Sequence, residues 1–129
     1  MRRAEAGLLL LEAMVALVLL GLAVVAMLQL LSGAADAAVR ARGHTEALAL
    51  AQSEMDRLVS SAAVGSLAAE GTEGAFPPPF ERYRYVVTRA RVGEQRLIEI
   101  RVRITWPKPG AGTLELVTRT ASPPKEAGP

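Results

Sequence analysis

The feature that most constrains this chain is an apolar stretch near its start, residues 13–35, which contains no charged side chain. A stretch of this length is long enough to cross a lipid bilayer as one helix. Glu12 stands directly before it, and a carboxylate within a membrane helix costs about 2.5–3.5 kcal/mol on insertion scales. An ordinary anchor gains nothing from that cost, so Glu12 is a candidate functional residue.

The residues before Glu12 form a combination that is more specific than any one of them. A short leader with two arginines is followed by Gly7, then by the apolar Leu8, and the glutamate is the fifth residue after the glycine. In this combination the segment resembles the type IV prepilin signal, which is shared by type IV pilins and the pseudopilins of type II secretion. The resemblance covers about residues 1–31.

The resemblance implies a processing site and a register residue. A prepilin peptidase would cleave between Gly7 and Leu8, where a residue without a side chain allows close approach to the backbone. The new amine of Leu8, which stands where the family usually has phenylalanine, would then be methylated. Glu12 would pair with the amine of a neighbouring subunit and fix the stagger between helices. The alternative for Glu12 is a carboxylate that reaches back to the lipid head groups.

A narrower resemblance extends beyond the signal. Residues 47–58 are similar to the alanine- and leucine-rich stretch of minor pseudopilin I of type II secretion, and residues 102–106 to its tryptophan-containing strand. This similarity implies a structural subunit of the periplasmic pseudopilus, in its tip complex, that takes part in protein export and is not an enzyme. The implied partners are the prepilin peptidase, the minor pseudopilins J and K, the major pseudopilin and the inner-membrane secretion platform.

Other functions remain open alternatives. A minor type IV pilin for adhesion, motility or DNA uptake would carry the same signal, and a plain signal-anchored binding domain would not need Glu12. For an anchored enzyme the sequence offers little: His44 is the only histidine, there is no cysteine, and no phosphate-binding glycine loop occurs. We therefore predict no metal and no cofactor.

Charge predicts the orientation and argues against one class of partner. Arg2 and Arg3 place the N-terminus in the cytoplasm, so the remainder of a single-pass protein would lie in the periplasm. A signal peptide cleaved near residues 32–35 is the less favoured alternative, because the apolar stretch exceeds the usual signal core. The net charge is only +2, from 15 basic and 13 acidic residues that are interspersed, which predicts no nucleic-acid partner.

The predicted fold is α+β, a long N-terminal helix packed on a small antiparallel sheet of about three strands. The predicted organisation is a leader (1–7), a membrane half of the helix (8–35), an amphipathic half (36–62), a periplasmic β head (63–121) and a flexible tail (122–129). The predicted buried positions of the amphipathic half recur every three or four residues: Ala38, Ala41, Thr45, Leu48, Ala51, Met55, Leu58 and Ala62.

The strands are predicted from alternation. Residues 97–106 alternate between apolar and polar side chains, which is typical of a strand with one buried face. Two further strands are predicted at 83–89 and 113–120, with Gly93 in the first turn. The glycine- and proline-containing stretch 60–79 is predicted to be a connecting loop.

Overall fold

A computed structural model describes residues 2–63, 71–93 and 97–121. One helix is followed by four strands: α1 (Arg2–Ala63), β1 (Thr72–Ala75), β2 (Arg84–Val92), β3 (Leu97–Trp106) and β4 (Gly112–Ala121). The α+β architecture confirms the predicted fold class. The predicted flexible tail, residues 122–129, lies outside the described residues.

The chain divides into two compact units, Met1–Ala38 and Val39–Pro129. In the first unit, α1 continues without interruption through Ser32 and Gly33, where glycine predicts a local weakness. Its large apolar side chains between Leu8 and Leu31 are all 51–78% exposed. This helix is long and apolar enough to cross a membrane once.

The second unit contains the sheet, a meander in the order β1-β2-β3-β4 in which every neighbouring pair is antiparallel. β3 has the predicted bounds, and it pairs with β2 and β4 over nearly its full length because its alternating pattern is long and regular. Gly93, with φ of +65°, lies in the turn after β2, as predicted. That backbone conformation suits a residue without a side chain.

The fourth strand, β1, corrects the prediction of about three strands. Thr72–Ala75 lies within the stretch that the sequence predicts to be a loop. Its four residues include a glycine and an alanine and present no apolar alternation, so they carry no strand signal of their own. β1 forms because it pairs with the first half of β2, with Ala75 opposite Arg84 and Thr72 opposite Val87.

The core of the second unit lies between its part of α1 and one face of the sheet. The predicted inward residues of β3 are buried, and on the helix Ala51, Met55, Leu58 and Ala62 are buried as predicted. The earlier part of the predicted helix face is wrong, since Ala41, Thr45 and Leu48 are exposed. Gly43 and Ala47 are buried in their place, and Gly43 lies against the ring of Trp106.

Two charged residues have buried side-chain atoms. Glu54 is only 8% exposed and accepts two hydrogen bonds from Arg57. Arg89 lies on the core side of β2, directly opposite Ile100. Its Nε and Nη2 atoms are buried, and they have no hydrogen-bond partner in the structure.

Candidate functional site

The predicted processing site lies within the first turns of α1. Gly7 and Leu8 are both helical, and the Leu8 side chain is 67% exposed. A Cβ atom added at Gly7 would meet no other atom within 4 Å. The fold therefore does not require glycine at this position.

Glu12 stands one turn after Leu8 and is exposed. The residues that share its helix face are those three and four positions away, and these are all apolar: Leu8, Leu9, Val15 and Ala16. Among the residues that the structure describes, none forms a hydrogen bond or ion pair that involves Glu12. Its carboxylate needs either solvent or a group from outside the described residues.

The structure thus places the three predicted residues in sequence along one exposed apolar helix. Cleavage after Gly7 would leave Leu8 as the first residue of α1 and put its amine one helical turn from the Glu12 carboxylate. Side chains of a helix point toward its N-terminus. This geometry allows Glu12 to pair with an amine at the start of its own helix or with that of a neighbour.

A second set of polar contacts, which the sequence did not predict, joins the helix to the sheet in the second unit. The hydroxyl of Tyr83 donates to Glu46 Oε2 at 2.7 Å, and Arg42 Nε donates to Glu46 Oε1 at 2.9 Å. Tyr83 is only 1% exposed, whereas Arg42 is at the surface. The sequence carries no signal for this contact, because Glu46 and Tyr83 are far apart along the chain.

These contacts shift the pKa values of both partners. The hydrogen bond from Tyr83, followed by that from Arg42, lowers the pKa of Glu46. Burial raises the pKa of Tyr83, and its bond to the negative carboxylate adds to this shift. Both shifts favour a negative Glu46 and a neutral Tyr83, so the pair is a structural link rather than a proton-transferring one near neutral pH.

Trp106 lies in the core beside this link. Its indole Nε1 donates to the carbonyl oxygen of Gly110 at 2.6 Å, and its ring centroid is 5.8 Å from that of Tyr83. His44 is exposed, and its ring forms a T-shaped pair with that of Trp106, with centroids 5.2 Å apart. Trp106 is 4% exposed and serves packing, as its position in the alternating strand indicates.

A groove of about 400 Å³ opens next to the Glu46 link. Its apolar wall includes Val39 and Phe80, and its polar atoms come from Arg42, Glu46 and Arg82. Arg82 donates to the carbonyl oxygen of Pro109 at 2.9 Å and lies over the ring of Tyr83. Each of these charged groups already has a partner within the second unit. The groove therefore offers no free acid, base or nucleophile.

The described part of the chain contains no group of three or more His, Cys, Asp or Glu side chains that could hold a metal ion. In comparisons with known protein families, curated proteins and solved structures, none matched this chain.

Proposed function

We propose that the chain is a structural subunit of a membrane-rooted fibre of the type IV prepilin class, and within that class a minor pseudopilin of type II secretion. The observation that carries the proposal is Glu12, a carboxylate without a partner among the described residues on an exposed apolar helix. Such a group in a membrane marks a functional position and needs a partner. Gly7 and Leu8, at the expected distance before it, indicate which partner that is.

The proposed sequence of events follows from this segment. The chain inserts with its leader in the cytoplasm and its head in the periplasm, and the prepilin peptidase cleaves between Gly7 and Leu8. The Leu8 amine is methylated and remains a cation. Glu12 then pairs with the corresponding amine of a neighbouring subunit, an ion pair that gains strength where lipid excludes water.

The narrower assignment to a minor pseudopilin I rests on less specific features. Residues 47–58 carry the alanine- and leucine-rich similarity, and their alanines also serve packing, since Ala47 and Ala51 lie under the sheet. The partners proposed by resemblance are the minor pseudopilins J and K, the major pseudopilin and the inner-membrane platform. A secretion ATPase and other prepilin-like proteins encoded beside this chain would support this assignment over a minor type IV pilin.

The first experiment tests processing. The full chain, expressed with a prepilin peptidase, is expected to start at Leu8 with one added methyl group, as measured by intact mass and N-terminal sequencing. Gly7→Ile is expected to leave an uncleaved precursor in the membrane. Gly21→Ile is the matched control, because an added Cβ meets no atom within 4 Å at either glycine.

The result can contradict the proposal in two ways. A mature protein that still begins at Met1 in the presence of the peptidase would remove the processing claim. A new N-terminus near residue 35 would instead identify an ordinary secreted domain, whose apolar segment serves only for export.

A further inference from the structure

The two edges of the sheet differ in length and run in opposite directions. β1 has four residues and β4 has ten, and all neighbouring strands are antiparallel. In a sheet with an even number of antiparallel strands, the two edge strands run in opposite chain directions. Two copies in the same orientation can therefore join β4 of one to β1 of the other as an antiparallel pair, the more stable kind of pairing.

Within the described residues, β4 lacks most of the devices that usually protect an edge. Proteins block edge strands with proline, bulges, short length or free charges. β4 contains no proline, and it pairs with β3 in one continuous register from Gly112 to Ala121. Val117, at the middle of its outer face, is 45% exposed. The neighbouring charges are neutralised within the sheet, since Arg103 pairs with Glu115 and Arg119 pairs with Glu99.

The charge on β1 selects one register for such a pair. Glu73 lies on the outer face of the sheet, opposite Val86 of β2, and it is exposed. Among the ion pairs of the described residues, none involves Glu73. Residues of the outer face of β4 that it could meet in a neighbouring copy are Thr113, Glu115, Val117, Arg119 and Ala121.

Only one of these five residues is a cation. The register that places Glu73 opposite Arg119 also places the exposed Ala75 opposite Val117, so an apolar pair sits beside the charged pair. Arg119 is able to hold both carboxylates, because Glu99 accepts from its Nε atom and a guanidinium carries five N–H groups. A shift by two residues would put Glu73 opposite Val117 or Ala121, neither of which is charged, and a shift by four would put it opposite Glu115, which repels it.

We infer that β4 of one copy binds β1 of a second copy as an antiparallel edge pair, in the register Glu73–Arg119 and Ala75–Val117. The contact uses two different surfaces, so each copy keeps one edge free and the arrangement can repeat. Both copies keep one orientation, as anchoring in a common membrane requires. Only this last point rests on the proposed function.

Cysteine crosslinking of the full chain tests the pairing, since the chain has no cysteine of its own. Opposite residues of an antiparallel pair have Cα atoms about 4.5–5.5 Å apart, which is within the range of a disulfide. Ala75→Cys and Val117→Cys variants with different tags are expressed together and oxidised in the membrane. A product that carries both tags is expected at ten times or more the yield of either variant alone.

The control variant is Val86→Cys. Val86 is 37% exposed on the same outer face, but it lies in β2 and not at an edge. Paired with Ala75→Cys it is expected to give no crosslink between copies. Equal crosslinking by this pair would mean random collision. Self-crosslinking of Val117→Cys alone would mean a two-fold pairing of β4 with β4, and either result would overturn the inference, as would the absence of any crosslink.

Charge exchange provides the second measurement. Glu73→Arg in the Ala75→Cys chain is expected to reduce the crosslink about tenfold, and Arg119→Glu in the Val117→Cys chain is expected to restore it. An unchanged yield would contradict the register. The crosslinking result is independent of the processing result. A chain that is cleaved but gives no crosslink would contradict only the edge contact. A chain that is crosslinked but never cleaved would contradict only the proposed function.

Discussion

At the scale of single residues, the tightest environment in the described chain is that of Trp106. The ring needs glycine on both sides. A Cβ atom at Gly43 would stand 2.9 Å from its Nε1 atom, and one at Gly112 would overlap its six-membered ring. Gly110, with φ of +68°, turns its carbonyl oxygen toward the indole N–H. These glycines serve the packing of one side chain and explain why the strand β4 begins with a residue of low strand propensity.

We expect Gly112→Ala to destabilise the head by about 1–3 kcal/mol, the usual cost of adding volume to a filled core. Gly33→Ala is the control, because an added Cβ there meets no atom within 4 Å and alanine favours a helix. Trp106 is the only tryptophan, so its fluorescence during thermal unfolding in detergent reports on this core directly. Equal midpoints for Gly112→Ala and the wild type would show that the ring can move away.

At the scale of helices and strands, the sequence predicts an element well where the element's own pattern determines it. The sequence predicts β3 with its observed bounds, because a strand with one buried and one solvent-exposed face alternates apolar and polar side chains, here over ten residues. β1 was not predicted, because its short polar strand exists only through its partner β2. The predicted helix face is correct from Ala51 onward and wrong before it, because Gly43 is buried by the ring of Trp106 and not by its own hydrophobicity.

The hydrogen bond between Glu46 of α1 and Tyr83, directly before β2, could not be predicted from the sequence either. It predicts that the stability of the fold depends on pH. The pKa of Glu46 is lowered in the folded state. Its contribution to stability is therefore fully present above the ordinary carboxyl pKa of about 4.3 and is lost as the pH falls through the lowered value. For Tyr83 the pKa is raised, so its contribution is lost only as the pH rises beyond about 10.

We expect the unfolding midpoint of the wild type to fall between about pH 5 and pH 3, and Glu46→Gln to reduce that fall. Glutamine keeps an acceptor for the Tyr83 hydroxyl but has no charge to lose. Glu81→Gln removes an exposed carboxylate near Tyr83 without touching the Glu46 bond, and serves as the control. Tryptophan fluorescence at a series of pH values measures the midpoints. If Glu46→Gln and the wild type lose stability equally, the acid response arises elsewhere, with Glu99 as the next candidate.

At the scale of the whole molecule, the two units place their apolar residues in opposite ways. The second unit buries its large side chains, including Ile100, Ile104 and Tyr83, whereas the apolar side chains of the first unit are exposed along the helix. The first unit therefore needs a membrane, neighbouring helices or both to cover it. The sequence identifies the position of Glu12 as unusual, and no described residue of the chain pairs with its carboxylate.

Replacement of Glu12 by leucine separates insertion from assembly. We expect Glu12→Leu to insert into the membrane at least as well as the wild type, because the cost of a carboxylate in lipid is removed. Cleavage at Gly7 is expected to be retained, whereas copurification with other prepilin-like subunits is expected to fall tenfold or more. The neighbour's amine would lose its partner, and an uncompensated charge in an apolar layer is the costly outcome of breaking such a pair.

Glu5→Leu is the matched control for this experiment, since it removes an acidic residue from the leader that the proposed processing would discard. Crosslinking and secretion are compared at equal membrane levels of both variants. Undiminished assembly of Glu12→Leu would assign Glu12 to contact with the head groups or with the amine of its own helix, and the register of the helices would then have to come from their packing alone.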